Sequence, residues 1–87
     1  MKTLNDYRET NLFDDLQMFE IGRGLEEGLD VSVYADPKFN GNQMFEIRWG
    51  LKRGVDVSVY ADPKFHRCQM EEIRDRLEKG LDVSDDN

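Results

Sequence analysis

Apolar residues recur along this chain at spacings of three and four, which is the pattern of one face of an amphipathic helix. The stripe occurs first as Met18, Ile21 and Leu25, then as Met44, Ile47 and Leu51, and again as Met70, Ile73 and Leu77. A glycine follows each stripe, and glycine adopts the positive φ of a helix C-terminus without strain. These glycines are Gly28, Gly54 and Gly80. The spacing predicts helices near residues 15–27, 41–53 and 67–79.

A helix-start signal precedes each stripe. In the second, Asn40 is placed as the N-cap, and Gln43 is placed to accept from its backbone N–H, which is a capping-box arrangement. Phe39 before the cap and Met44 after it fit a hydrophobic staple. The first stripe has Phe13, Asp14, Gln17 and Met18 at these positions, and the third has Phe65, His66, Gln69 and Met70. Histidine is the weakest of the three caps.

The stripes belong to an internal repeat with an offset of 26 residues. Residues 17–39 read QMFEIGRGLEEGLDVSVYADPKF, and residues 43–65 read QMFEIRWGLKRGVDVSVYADPKF, identical at 18 of 23 positions. A third copy, QMEEIRDRLEKGLDVS, matches the second at 10 of 16 positions. We therefore predict an N-terminal cap at 1–12 and a tandem repeat domain at 13–87, with copies at 17–42, 43–68 and 69–87, the last truncated.

The segment that follows each long helix allows two interpretations. Residues 29–35 alternate apolar and polar, which is typical of a short strand. Asp30 could instead cap a helix of one and a half turns that buries Val31, Tyr34 and Ala35, and Pro37 would end that element. We favour the short helix. The predicted fold class is therefore all-α, a short α-solenoid of about three helix-turn-short-helix repeats with terminal caps.

The third copy is more polar than the other two. Phe45 corresponds to Glu71, and Gly50 corresponds to Arg76. If Phe45 and Gly50 face the next repeat, the last copy has no neighbour there and can be polar. The third copy also lacks the Tyr-Ala-Asp-Pro unit. Both differences are those expected of a terminal repeat.

The unit QMxEIRxGLxxGLDVSxYADPxF, present at residues 43–65, resembles short tandem repeats in largely uncharacterised proteins of gut-type Gram-positive bacteria and their mobile elements. The resemblance covers most of the chain. It implies a bacterial or phage setting and a helical fold, and it provides no catalytic residues to transfer. The third copy departs from the unit at Glu71, Asp75 and Arg76.

The net charge of −7 argues against generic binding to nucleic acid or to an anionic membrane, because Lys and Arg must replace counterions there. The single cysteine, Cys68, excludes an intrachain disulfide and suits a reducing compartment. No apolar run is long enough for a signal peptide or a membrane helix. We expect a cytoplasmic protein.

Residues with catalytic or metal-binding chemistry are few. His66 and Cys68 are the only residues of their types, too few for a zinc site or a Cys–His nucleophile pair. Asp30, Asp36, Asp56 and Asp62 recur at cap and turn positions, where aspartate has structural roles, and the tail acids Asp82, Asp85 and Asp86 lack the glycine and glutamate of a calcium loop. We expect no enzyme activity, no metal and no cofactor.

The remaining candidate chemistry is that of a binding surface. Phe45 and Trp49 form a second stripe, beside the core stripe, that is either buried against the next repeat or exposed as a binding hot spot. Residues 43–68 carry +2, between acidic ends, and could engage an acidic partner. We predict a non-catalytic protein-binding module that uses Arg48, Trp49, Lys52 and Arg53. The alternatives are an acidic inhibitor from a phage or mobile element that mimics nucleic acid, as some CRISPR inhibitors do, and a self-assembling structural repeat.

Overall fold

The computed structural model describes residues 2–81, which fold into four α-helices and two 3₁₀ helices joined by turns. The α-helices are α1 (Leu4–Glu9), α2 (Asp15–Glu26), α3 (Gly41–Arg53) and α4 (Arg67–Glu78), and the 3₁₀ helices span Val31–Val33 and Val57–Val59. The predicted all-α class is confirmed. The ends of α2, α3 and α4 agree with the predicted ranges to within one residue. The tail acids Asp82, Asp85 and Asp86 lie outside the described residues.

The helix starts follow the predicted capping pattern. The side chains of Asp14 and Asn40 accept the backbone N–H groups of Gln17 and Gln43 at 2.8 Å, and each glutamine accepts the N–H of its cap in return. At α4 the His66 side chain makes no cap hydrogen bond. The Gln69 side-chain Oε1 accepts from the His66 N–H at 2.8 Å, so one half of the capping arrangement is present there. The weaker third cap is confirmed.

The capping glutamines also join each helix start to the next one along the chain. Gln17 Nε2 donates to the Phe39 carbonyl at 2.6 Å, and Gln43 Nε2 donates to the Phe65 carbonyl at 2.8 Å. Both glutamines are buried. Because Phe39 and Phe65 each precede the cap of the following helix, these bonds fix where that helix begins. One side chain therefore satisfies its own helix end and positions its neighbour.

The segments after α2 and α3 are each a single 3₁₀ turn, so the short-helix interpretation is correct in type and too long by half a turn. Asp30 accepts from the Ser32 N–H at 3.2 Å and caps the turn. Val31 and Tyr34 are buried as expected, whereas Ala35 is only half-buried. The Tyr34 hydroxyl donates to the Glu20 carbonyl at 2.7 Å, and its burial raises the pKa of the phenol. The short strand is not formed in either segment.

Gly24 and Gly50 provide the space that the two tyrosines occupy. A Cβ atom at Gly50 would overlap the Tyr60 hydroxyl and a methyl group of Val57, and one at Gly24 would overlap the Tyr34 hydroxyl and Val31. The expectation that Gly50 faces the next repeat is therefore wrong, because it contacts the 3₁₀ segment of its own copy. Arg76 replaces the glycine in the third copy, where position 86 is no longer tyrosine.

The helices pack in chain order, α1 on α2, α2 on α3 and α3 on α4. One core runs through them and contains Tyr7, Ile21, Val31, Tyr34, Phe39, Met44, Ile47, Val57, Tyr60 and Met70. Helix α1 reaches α2 through Leu4, whose methyl groups lie 3.4 and 3.6 Å from the Cβ position of Gly22. The described residues form an elongated body of 45 × 23 × 16 Å.

Two glycines of α2 allow a matched test of the tyrosine contact. We expect Gly24→Ala to lower the free energy of unfolding by about 1–3 kcal/mol, because the added methyl group overpacks Tyr34 and Val31. Gly22→Ala meets only ordinary contacts with Leu4 and removes a flexible residue from a helix, so it should leave stability unchanged or raise it by up to about 1 kcal/mol. Urea unfolding of both variants, followed by circular dichroism, measures the difference. Equal effects at the two positions would contradict the assignment.

Candidate protein-binding face

Arg48 lies inside the molecule, between α2 and α3. Its side chain is 5% exposed, with Nε 2.7 Å from the Glu20 carboxylate and Nη1 2.8 Å from that of Glu27. Burial alone would lower the pKa of Arg48, but the hydrogen bonds that it donates to both glutamates raise the pKa above its ordinary value. The prediction that Arg48 contacts a partner is therefore corrected, because its charge is fully used within the chain.

Lys52 and Arg53 lie at the surface and are paired with glutamates of neighbouring helices. Lys52 Nζ is 3.0 Å from Glu27 on α2, and Arg53 Nε is 3.0 Å from Glu78 on α4. About half of each side chain remains exposed. The positive charge of the middle copy therefore joins the helices together more than it forms a free basic surface.

The α2–α3 contact and the α3–α4 contact each contain an equivalent ion pair between arginine and glutamate. Arg74 on α4 lies 3.0 Å from Glu46 on α3, as Arg48 on α3 lies 2.7 Å from Glu20 on α2, and each pair is separated by 28 residues. In the first copy Gly22 occupies the arginine position, where it admits Leu4 of α1. The sequence carries a signal for this ion pair. At this repeat position an arginine occurs only in the two copies that have a glutamate 28 residues earlier.

A second ion pair distinguishes the two contacts, because the acidic and basic residues exchange places between them. Between α2 and α3 the acid is on the earlier helix, as Glu27, and the base is on the later one, as Lys52. Between α3 and α4 the equivalent positions hold Arg53 and Glu78, so the signs are reversed. In the second contact Arg74, whose side chain is 12% exposed, also pairs with Glu78 of its own helix. Opposite signs at equivalent positions disfavour packing of α2 directly against α4.

Three aromatic side chains lie outside the core on α2 and α3, and we call Phe19, Phe45 and Trp49 the aromatic face. Phe19 is 55% exposed and Phe45 is 38% exposed. The rings of Phe45 and Trp49 stack with centroids 6.3 Å apart and planes 9° apart. The two rings stack on each other on the outside of α3. Of the two alternatives for this stripe, burial against the next repeat or exposure, Phe45 is therefore exposed.

Cations accompany the aromatic face. The Arg23 guanidinium lies 5.9 Å from the Phe19 ring centre, and Lys52 Nζ lies 5.2 Å from that of Trp49. Such cation–π contacts hold long basic side chains along the rings. The face therefore combines apolar surface with positive charge on α2 and α3. On α4 the equivalent positions are the exposed acids Glu71 and Asp75.

The described residues offer little other chemistry. Within residues 2–81, no group of three or more His, Cys, Asp or Glu side chains is arranged to hold a metal ion. His66 and Cys68 are both exposed. In the same part of the chain, no helix has both the length and the apolar character needed to cross a membrane.

The sign of the second ion pair generates a test by charge reversal. Glu27→Arg places a fourth cation beside Arg23, Arg48 and Lys52, so we expect a loss of about 1–3 kcal/mol of stability. Glu27→Arg with Lys52→Glu should recover most of it, because the double variant recreates the arrangement that Arg53, Glu78 and Arg74 already have between α3 and α4. Thermal unfolding measures both.

The control for charge reversal is Glu26→Arg, at a neighbouring glutamate that contacts only Arg23 at 3.9 Å. We expect this exposed change to stay within roughly 0.5 kcal/mol of the parent. A double variant no more stable than Glu27→Arg alone would contradict the reversed-pair assignment.

Glu27 also makes stability depend on pH. Its pKa is lowered first by the hydrogen bond from Lys52 and further by Arg48. A carboxyl group with a lowered folded-state pKa stabilises the fold above its ordinary pKa of 4.5 and loses that contribution as the pH falls below it. We expect the stability difference between the parent and Glu27→Gln to be present at pH 7 and to shrink below about pH 4.5. A difference that stays constant down to pH 3 would show that Glu27 is not ionically paired.

Searches against protein-family models, curated proteins and solved structures find no match to this chain. The resemblance of the 26-residue unit to bacterial repeats therefore stays a prediction. The function has to be inferred from the chain's own side chains.

Proposed function

We propose that this chain is a short α-solenoid that binds another protein through the aromatic face and has no catalytic role. The repeated glutamine, tyrosine and arginine contacts support the solenoid, because equivalent residues of two successive copies make the same bond in each case. The observation that carries the binding role is the exposure of Phe19 and Phe45 beside Trp49. Exposed aromatic clusters with adjacent cations are typical of interface hot spots.

Of the four residues predicted to bind a partner, the proposed site keeps two as direct contacts and gives the other two different positions. Trp49 and Lys52 remain, because the indole stacks on Phe45 and the ammonium lies over the indole ring. Arg53 lies at the edge, paired with Glu78. Arg48 supports the face from beneath, with its guanidinium 5.3 Å from the Phe45 ring centre. A fitting partner presents apolar side chains with carboxylates beside them.

The nucleic-acid mimic is the weaker alternative. A mimic needs free carboxylates spaced along one surface, as phosphates are. Glu20 and Glu46 are buried, Glu27 pairs with three basic side chains, and Glu78 pairs with two. The proposal also includes a cytoplasmic location, which the free thiol of Cys68 supports, and a bacterial or mobile-element origin, which the resemblance of the repeat unit supports.

The test compares proteins captured from a bacterial lysate by the parent and by matched variants. We expect Phe45→Ala with Trp49→Ala to lose the specific partner, because truncating hot-spot aromatics typically costs about 2 kcal/mol or more each, roughly 30-fold in affinity. The control is Val59→Ala, which removes an equally exposed apolar side chain on the second 3₁₀ helix. Circular dichroism checks that all three chains are helical. Capture of the same proteins by the aromatic variant would refute the proposed face.

A further inference from the structure

We propose that the partner of the aromatic face is a second copy of this chain, bound in a dimer with two-fold symmetry. The inference rests on the proposed function and names its partner. The aromatic face continues onto α4 as Glu71 and Asp75, so three neighbouring helices present one row of equivalent positions. The row is aromatic and basic on α2, aromatic on α3 and acidic on α4.

This order of chemistry matches itself under a two-fold rotation. An axis through α3 places Phe45 and Trp49 against the same residues of the second copy, and it places α2 of each copy opposite α4 of the other. Arg23 then faces Glu71 of the second copy, and the reciprocal pair forms on the other side of the axis. The stacked rings provide the apolar centre, and the two crossed ion pairs fix the orientation.

The charges that this arrangement uses are available. Arg23 lies 3.9 and 3.7 Å from Glu26 and Glu27, beyond hydrogen-bond distance, and its side chain is 46% exposed. Glu71 is exposed and forms no ion pair within residues 2–81. Asp75 is the less suitable acid, because it already binds Lys79 at 2.9 Å.

A second pair of exposed apolar side chains at equivalent repeat positions, Val33 and Val59, does not show this complementarity. Val33 and Val59 are exposed to the same degree as Phe45, but each follows an aspartate, Asp30 or Asp56, at the same position of its copy. Equal charges on both copies repel each other under any two-fold rotation that superposes these segments. The valine segments therefore lack the change from basic to acidic residues that runs along the aromatic row.

The dimer is tested by sedimentation equilibrium over a range of concentrations, with fluorescence of Trp49, the single tryptophan, as a second signal. The 87-residue chain should approach twice its 10.2 kDa mass as concentration rises, while the indole emission shifts to shorter wavelength. Phe45→Ala should prevent both changes and leave the helical circular dichroism intact. Val59→Ala, the matched control, should dimerise as the parent does.

Charge reversal identifies the two-fold arrangement. Arg23→Glu and Glu71→Arg should each weaken the dimer by roughly 10-fold, because every substitution acts twice across the axis. An equimolar mixture of the two single variants should dimerise better than either alone, since both crossed pairs then join opposite charges. The double variant on one chain should recover the parent's affinity to within roughly 3-fold for the same reason.

The outcomes separate this inference from the proposed function. A chain that stays monomeric up to millimolar concentration overturns the dimer, and so does a dimer that is insensitive to both charge reversals. If the parent is monomeric and still loses a captured protein on Phe45→Ala with Trp49→Ala, the proposed function stands with a different partner. If that protein is captured regardless of the aromatic residues, the proposed function fails whatever the oligomeric state.

Discussion

The ion pair between Arg48 and Glu20 is the interaction on which the arrangement of the helices depends. Both side chains are almost fully buried and lie 2.7 Å apart, so each charge loses its hydration and requires the other. Such a pair contributes little net stability compared with apolar packing, but it makes any other neighbour costly. The same pair recurs as Arg74 with Glu46, so in each contact between the long helices an arginine requires a carboxylate on the preceding helix.

Because the copies are nearly identical, the ion pair between Arg48 and Glu20 does not by itself determine the order in which the helices pack. A helix of the first copy and a helix of the second carry the same core residues, so apolar packing does not distinguish them. The pair formed by Glu27 and Lys52 and the reversed pair formed by Arg53 and Glu78 do distinguish them. Packing α2 against α4 would bring Glu27 next to Glu78. Repulsion between these carboxylates therefore supports chain order, as reversed charges do in other helix assemblies.

Local sequence signals predicted the elements because those signals act over a few residues. The apolar stripes, the caps at Asp14 and Asn40 and the glycines at the helix ends were sufficient to place α2, α3 and α4. The 3₁₀ turns were harder, since Val31, Val33 and Ala35 alternate with polar residues as in a strand. The conformation of that segment depends on two contacts with α2. Tyr34 packs against Gly24, and its hydroxyl donates to the Glu20 carbonyl 14 residues away. The aromatic stripe was identified, but the exposure of its members depended on how the helices pack.

The error at Arg48 has a physical origin that the copies themselves explain. An arginine in a basic stretch is usually exposed, and a short sequence window cannot show a carboxylate 28 residues earlier. The first two copies differ at five of the 23 compared positions. Four of these are the equivalents of Arg48, Trp49, Lys52 and Arg53. Substitution between these copies is thus concentrated at positions that select the neighbouring helix or face solvent, while the fully buried core residues, the capping glutamines and the tyrosine contact are unchanged. A chain that varies its units in this way separates the residues that build each unit from those that give it a specific neighbour.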